Sequence, residues 1–234
     1  MKKLLSFLLA AALLVSLAAC GTPKEEPTTT AATEPLTSDT QQTDALSTDS
    51  TATDGKKILV LYFSSANTTS ADVVSSATPK ADGLGVTAYL AQLIHENVGG
   101  DLAAITPAQD YPTDYNGTID AAKQERDKDE RPAYQPLDVN PEDYDVIFVG
   151  YPMWWYTLPM VLYTFFDTYD FSGKTIIPFN THAGSGDGGT YKEIADFEPD
   201  ATVLDGLALS GSSVGADSAQ QVAAWLKELN ISTN

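Results

Sequence analysis

Three stretches of the chain gather residues that can hold a ligand, and each follows directly on a short apolar run. The first begins after Ile58 to Phe63, with Ser64, Ser65, Ala66, Asn67, Thr68 and Thr69; further on, Gly83, Leu84, Gly85, Val86 and Thr87 open a helical pattern. Small hydroxyl and glycine residues at a helix start leave backbone N–H and hydroxyl donors free, as a phosphate requires. The same residues also serve as ordinary turns and caps. The second stretch follows Val149 and runs Gly150, Tyr151, Pro152, Met153, Trp154, Trp155, Tyr156, Thr157, Leu158, Pro159. That aromatic density suits a planar ring system. Adjacent side chains cannot easily face one ligand, so one tryptophan is expected to cap the core and the other to face a pocket. The third stretch follows Phe179 as Asn180, Thr181, His182, Ala183, Gly184, Ser185, Gly186, Asp187, Gly188, Gly189, where small residues let backbone amides approach a ligand closely. His182 can donate a proton or hydrogen bond there, or simply satisfy the loop. His95, within a helical pattern, reads as structural.

The elements that must position these stretches are legible as buried runs. Strands are expected at Ile58 to Phe63, Leu102 to Ile105, Val146 to Val149, Ile176 to Phe179 and, more weakly, Val203 to Leu209. Continuous apolar runs suit strands covered on both faces. Helical patterns alternate with them. One has Leu90, Leu93 and Ile94 facing inward; the last has Ser218 and Gln221 spaced as a capping box, with Val222, Trp225, Leu226 and Leu229 on one face. Five strands alternating with helices predict an α/β fold with an open, doubly wound parallel sheet and right-handed crossovers. In such sheets ligands sit beyond the carboxyl ends of the strands at the topological switch point, which is where the three stretches fall.

The N-terminus reads differently. Lys2 and Lys3 precede an apolar run from Leu4 to Ala19, too short for a stable membrane span, which is the pattern of a signal peptide over residues 1–19. The run ends Leu17, Ala18, Ala19, Cys20, Gly21, which resembles a bacterial lipobox, with Cys20 the lipidated residue. Cys20 is the one cysteine in the sequence, so a disulfide, a CxxC pair and a thiolate cluster are excluded. Two widely separated histidines support no metal site. Residues 20–55 hold Thr, Pro, Ser, Asp and Glu without an aromatic, the composition of a disordered tether. Residues 56–234 are long and apolar enough for one folded domain. A formal charge of −19, made more negative by removal of the two signal lysines, argues against nucleic acid as a partner.

Taken together, YFS at the first strand, GYPMWWYTLPM after the third and PFNTHAGSGDGG after the fourth resemble the flavodoxin-like family of small bacterial flavoproteins, over nearly all of Lys56 to Asn234. The resemblance implies strand order 2-1-3-4-5 and a noncovalently held FMN. It puts Ser64 and Ser65 at the phosphate loop, Pro152, Met153, Trp154 and Trp155 at one ring loop, and Thr181, His182, Ala183 and Gly184 at the other. Flavodoxin-like proteins themselves exemplify the switch-point rule, so this placement is not an independent one. The first loop departs from the family's compact pattern. It is completed either by Asn67 and Thr68 directly or, as preferred here, by Gly85, Val86 and Thr87 after an insertion from Ala66 to Leu84. The expected function is electron transfer to, or reduction of, a quinone, another flavin or a protein partner, at the extracytoplasmic face of a bacterial membrane through the lipid anchor. No catalytic residue is assigned. A flavin-free scaffold that binds a ligand or partner is the alternative; a serine hydrolase is disfavoured because a catalytic triad is established by geometry that the residue order does not supply.

Overall fold

Six consecutive apolar or aromatic residues, Ile58–Phe63, need cover on both faces, and they form an interior strand, β1, of the computed structural model, which describes residues 55–64 and 84–231. The other strands are β2 (Asp101–Ile105), β3 (Val146–Pro152), β4 (Thr175–His182), β5 (Thr202–Val203) and β6 (Leu207–Ser210). Five helices alternate with them: α1 (Val86–Val98), α2 (Tyr115–Lys128), α3 (Met160–Thr168), α4 (Thr190–Phe197) and α5 (Ser218–Glu228). All strand pairs are parallel, in the order β2-β1-β3-β4-β5, with β6 also on β4. This is the expected 2-1-3-4-5 arrangement. The expected signal segment, Cys20 and the tether up to residue 54 lie outside the described residues, as do Ser65, Asn67 and Thr68. Among the described residues no helix is long and apolar enough to cross a membrane.

Strand periodicity sorts the core into two layers. Leu59, Leu61 and Phe63 of β1 and Ile147, Val149 and Tyr151 of β3 face one side, where α3 supplies Val161, Leu162 and Phe165 and α4 supplies Ile194. Ile58, Val60, Val146 and Phe148 face the other, against Leu90 and Ile94 of α1 and Val222, Trp225 and Leu226 of α5. Both sets are apolar, so neither face of the central strands can be left to water.

Two local expectations are corrected. The weak fifth strand, read as continuous from Val203 to Leu209, is split into β5 and β6, with Leu204 to Gly206 between them. The cause lies in its neighbour. Ile176 O of β4 accepts from Leu204 N at 3.0 Å, so the polar groups of alternate residues 176 and 178 point toward this edge. Residue 178 is a proline without an N–H, and the partner strand breaks where that donor is missing. At α5 the capping box does not form. Asp217 is the N-cap without a side-chain bond, Ser218 is the first helical residue, and its Oγ accepts from Gly215 N at 2.9 Å instead.

Gly150 has a packing reason. It pairs with Phe179 across β3 and β4, and a Cβ at residue 150 would sit 2.1 Å from Cζ of the Phe179 ring, which is fully buried. Overpacking of this kind costs about 1–3 kcal/mol. Gly150→Ala should therefore lower the thermal midpoint by several degrees, and Phe179→Leu in the same chain should recover part of the loss; a Gly150→Ala protein melting with the wild type would contradict this packing.

Candidate functional site

Because every strand runs the same way, the three singled-out stretches leave the sheet at one edge. Ser64 follows β1, and its buried Oγ has no hydrogen-bond partner among the described residues. α1 begins at Val86 with Gly85 as N-cap in an extended conformation, no side-chain cap and no acidic residue in its first turn. Gly85 thus brings no capping side chain of its own to the first turn. Thr87, fully buried, shares a 2.7 Å hydroxyl bond with Thr181 at the end of β4. Of the two completions of the first loop, the described residues contain only Gly85, Val86 and Thr87, and these do open the helix.

The second stretch leaves β3 through Pro152. Met153 N donates to Thr181 O at 2.8 Å, continuing the register of β3 on β4. Trp154 and Thr157 then exchange backbone bonds of 3.2 and 3.1 Å, closing a two-residue turn in which Trp155 and Tyr156 have φ of 52° and 62°. Left-handed backbone at both central positions belongs to a type I′ turn, normally Asn-Gly or Gly-Gly. Two bulky aromatics there store about 1–3 kcal/mol of strain each. The turn also separates the tryptophans. Trp154 is 2 % exposed and meets Phe63 and Tyr111 edge-on, at centroid distances of 5.3 and 4.9 Å; its Nε1 has no hydrogen-bond partner. Trp155 is 37 % exposed, and its Nε1 donates to Ile119 O of α2 at 2.9 Å.

The third stretch is a glycine loop anchored from below. Asn180 is fully buried; its Nδ2 donates to Gly186 O at 3.0 Å and its Oδ1 accepts from Tyr191 Oη at 2.6 Å. Gly184, Gly186, Gly188 and Gly189 all have positive φ, which only glycine adopts without penalty. His182 Nδ1 accepts from Gly184 N at 2.9 Å, which leaves its proton on Nε2, and desolvation lowers its pKa below the usual histidine value. At neutral pH it is a neutral donor.

Between the second and third stretches lies a cleft of about 320 Å³, within the range usual for small-ligand sites. Met153, Trp155, Ala183 and Gly184 of the expected set line it. Pro152, Trp154, Thr181 and His182 do not: Trp154 and Thr181 are buried beneath, and His182 holds the loop. Tyr115 and Ile119 of α2, Tyr156 and Ser185 complete the lining and were missing from the expected set. Tyr115 and Ile119 stand four apart on one helix face, a pattern the sequence offers but does not connect to the loops. Among the described residues no lining side chain is charged. Burial pushes the hydroxyls of Tyr111 and Tyr151 well above the tyrosine range, so both act as neutral hydrogen-bonding groups.

Beneath Trp154, Tyr111 Oη donates to Glu125 Oε2 at 2.9 Å. Burial, opposed by that bond and assisted by the charge of Glu130, pushes the Glu125 carboxyl up to about 7.

A model of the family described as Flavodoxin matches residues 80–229. A proposed flavoprotein from Bacteroides eggerthii is 30 % identical with a TM-score of 0.58, the match covering 74 % of this chain and 98 % of that one. A second, from Bacteroides uniformis, is also 30 % identical, with a TM-score of 0.57 and coverage of 73 % and 97 %. A flavoprotein from Lactobacillus acidophilus, solved in complex with FMN, is 22 % identical with a TM-score of 0.51 over 68 % of this chain and 96 % of that one, a likeness of fold. No curated protein matches the chain.

Glu125 gives a pH signature. With its folded pKa raised from an unfolded value of about 4.3, the folded state holds a proton that the unfolded chain has lost, so this contribution is complete at low pH and disappears as pH rises through about 7. Glu125→Gln keeps an acceptor for Tyr111 without titrating. Its melting temperature relative to the wild type should rise between pH 5 and pH 8; a gap independent of pH would mean that Glu125 is an ordinary exposed carboxylate.

Proposed function

Since this chain belongs to the flavodoxin family, we propose that it binds FMN noncovalently and works as an extracytoplasmic electron-transfer protein or reductase. The observation that carries this reading is the buried Ser64 Oγ, which has no hydrogen-bond partner among the described residues, at the same carboxyl end of the sheet as the N-terminus of α1, whose N-cap is Gly85. A buried polar group without a partner costs about 1–3 kcal/mol, and a ligand rich in acceptor oxygens would relieve it. The residues fit the group. Ser64 and the Gly85 to Thr87 backbone would hold the phosphate. Met153 and Trp155 on one side and the Ala183 and Gly184 backbone on the other would flank the ring, with Thr181 and His182 holding those loops in place.

FMN, when bound, supplies electron and hydride chemistry. The protein's part is to orient the ring, exclude water from one face and set the electrostatic surroundings. An acidic chain with an uncharged cleft disfavours an anionic reduced ring and so lowers its potential. The acceptor is a redox partner or a small molecule, and the strongly acidic charge of the chain argues against nucleic acid.

We place the protein outside the cytoplasm, tied to the membrane through Cys20. General secretion threads an unfolded chain, whereas the site draws on loops far apart in sequence and exists only in the fold, so FMN would load after export. The spacing between Ser64 and Gly85 favours the second reading, a scaffold that has given up flavin. Adding FMN to apoprotein separates the two: a visible flavin spectrum that denaturation releases supports the first, and folded protein that takes up none supports the second.

Two substitutions test the details. Ring stacking contributes about 0.5–1.5 kcal/mol beyond area, so Trp155→Ala should weaken FMN binding several-fold with little loss of stability, while Trp154→Ala should chiefly destabilise the fold; equal FMN affinity in Trp155→Ala and wild type would remove this loop from the site. Cys20→Ser should leave the protein unprocessed or released from the membrane fraction, and a variant that fractionates and migrates as wild type would end the anchor assignment.

A further inference from the structure

We propose that Arg126, on α2, is a positioning residue for the cleft: its guanidinium holds the Trp155 indole and so fixes the aromatic wall a ligand meets. The inference rests on the reading of this cleft as the flavin-ring site. Arg126 Cζ lies 5.2 Å from the centroid of the Trp155 ring, within reach of a cation–π contact. Its Nη1 approaches Trp155 O at 3.5 Å. Nε and Nη2 are held by Asp127 Oδ1 at 3.1 and 2.7 Å, so the guanidinium plane is fixed from behind. Arg126 is absent from the cleft lining, whereas Trp155 is part of it. The cation therefore acts on the cleft through the indole.

The turn needs such a support. Trp155 and Tyr156 both sit in the left-handed backbone region, and Tyr156 is 74 % exposed, so packing around Tyr156 does little to keep the turn closed. Trp155 is fastened to one helix by three contacts, its Nε1 on Ile119 O and its ring and its carbonyl each against Arg126. That helix is itself thinly rooted, with only Thr118 and Ala122 buried. Turn and helix thus hold each other, and the same helix supplies Tyr115 and Ile119 to the cleft. Lysine would keep the charge but not the flat, fixed guanidinium that can lie against an indole.

The test reads the clamp with and without flavin. In apoprotein, the indole N–H resonance of Trp155, identified by its loss in Trp155→Phe, should shift and exchange faster in Arg126→Ala, while those of Trp154 and Trp225 stay in place. In FMN titrations Arg126→Ala should raise Kd by about three- to ten-fold, Arg126→Lys should recover only part, and Arg126→Ala should add nothing in a Trp155→Ala background. The midpoint potential of bound flavin should move downward in Arg126→Ala, because a nearby positive charge is gone. An unmoved Trp155 indole signal overturns the proposal, as does an affinity loss that persists undiminished without Trp155. A wild type that takes no FMN yet shows the indole change retains the positioning role and removes the flavin reading, so the two failures are distinct.

Discussion

The buried hydroxyl bond between Thr87 and Thr181 joins residues 94 positions apart and fixes where α1 begins relative to the end of β4. The rest of the site is built around that point. Thr181 also accepts from Met153 N, so the same residue ties the exit of β3 to the start of α1. With the helix start pinned there, its leading N–H groups keep their place at the sheet edge whatever the length of chain between Ser64 and Gly85. The closure cost of such a stretch grows only slowly with length. An insertion in the first loop is thereby compatible with a phosphate-sized donor cluster at the helix N-terminus.

The two tryptophans show how a turn divides labour between neighbours. Trp154 joins Phe63 and Tyr151 in one core layer, although strand periodicity would have put Met153 on that face; β3 ends at Pro152, and the turn that follows sets the side. The left-handed turn then carries Trp155 outward to α2. A less strained sequence such as Asn-Gly would make the same bend, yet it would leave the cleft without an aromatic wall. Strain kept at a position with a cheaper local solution is characteristic of a working surface.

Much of this was legible in the chain. The all-apolar runs of β1 and β3 can satisfy only central, doubly covered strands, and the loops that follow them had to emerge at one edge once the sheet was parallel. The reading that one tryptophan caps the core and the other faces a pocket follows from adjacency alone. What escaped the sequence was tertiary. Pro178 was visible, but its effect on the strand beside it depends on which neighbour its missing N–H would have faced. Ser218 was read as a cap because its spacing to Gln221 is right, whereas the backbone turns so that its hydroxyl serves Gly215. Tyr115 and Ile119 sit on a polar helix whose docking is set by Trp155 and Tyr111, contacts that no periodicity encodes.

Charge ties these features to chemistry. The chain is strongly acidic, and Lys123, Arg126, Lys128, Arg131 and Lys192 each pair with a neighbouring carboxylate at the surface. Such exposed pairs contribute little to stability, and pairing leaves the net charge that sets the far field unchanged. Among the described residues no charged side chain lines the cleft. A ring reduced there would meet a negative far field and, behind Trp155, one guanidinium already shared with Asp127. The far field favours a reduced ring that takes up a proton over one that keeps a negative charge, and the guanidinium opposes it over a short range. Whichever dominates is decided by distance and screening: at physiological salt, exposed charges beyond roughly 8 Å are largely screened, so the nearest fixed charge carries weight out of proportion to its number. A single arginine behind an indole, partly offset by its own Asp127, thus opposes at short range some of the lowering that the acidic chain imposes.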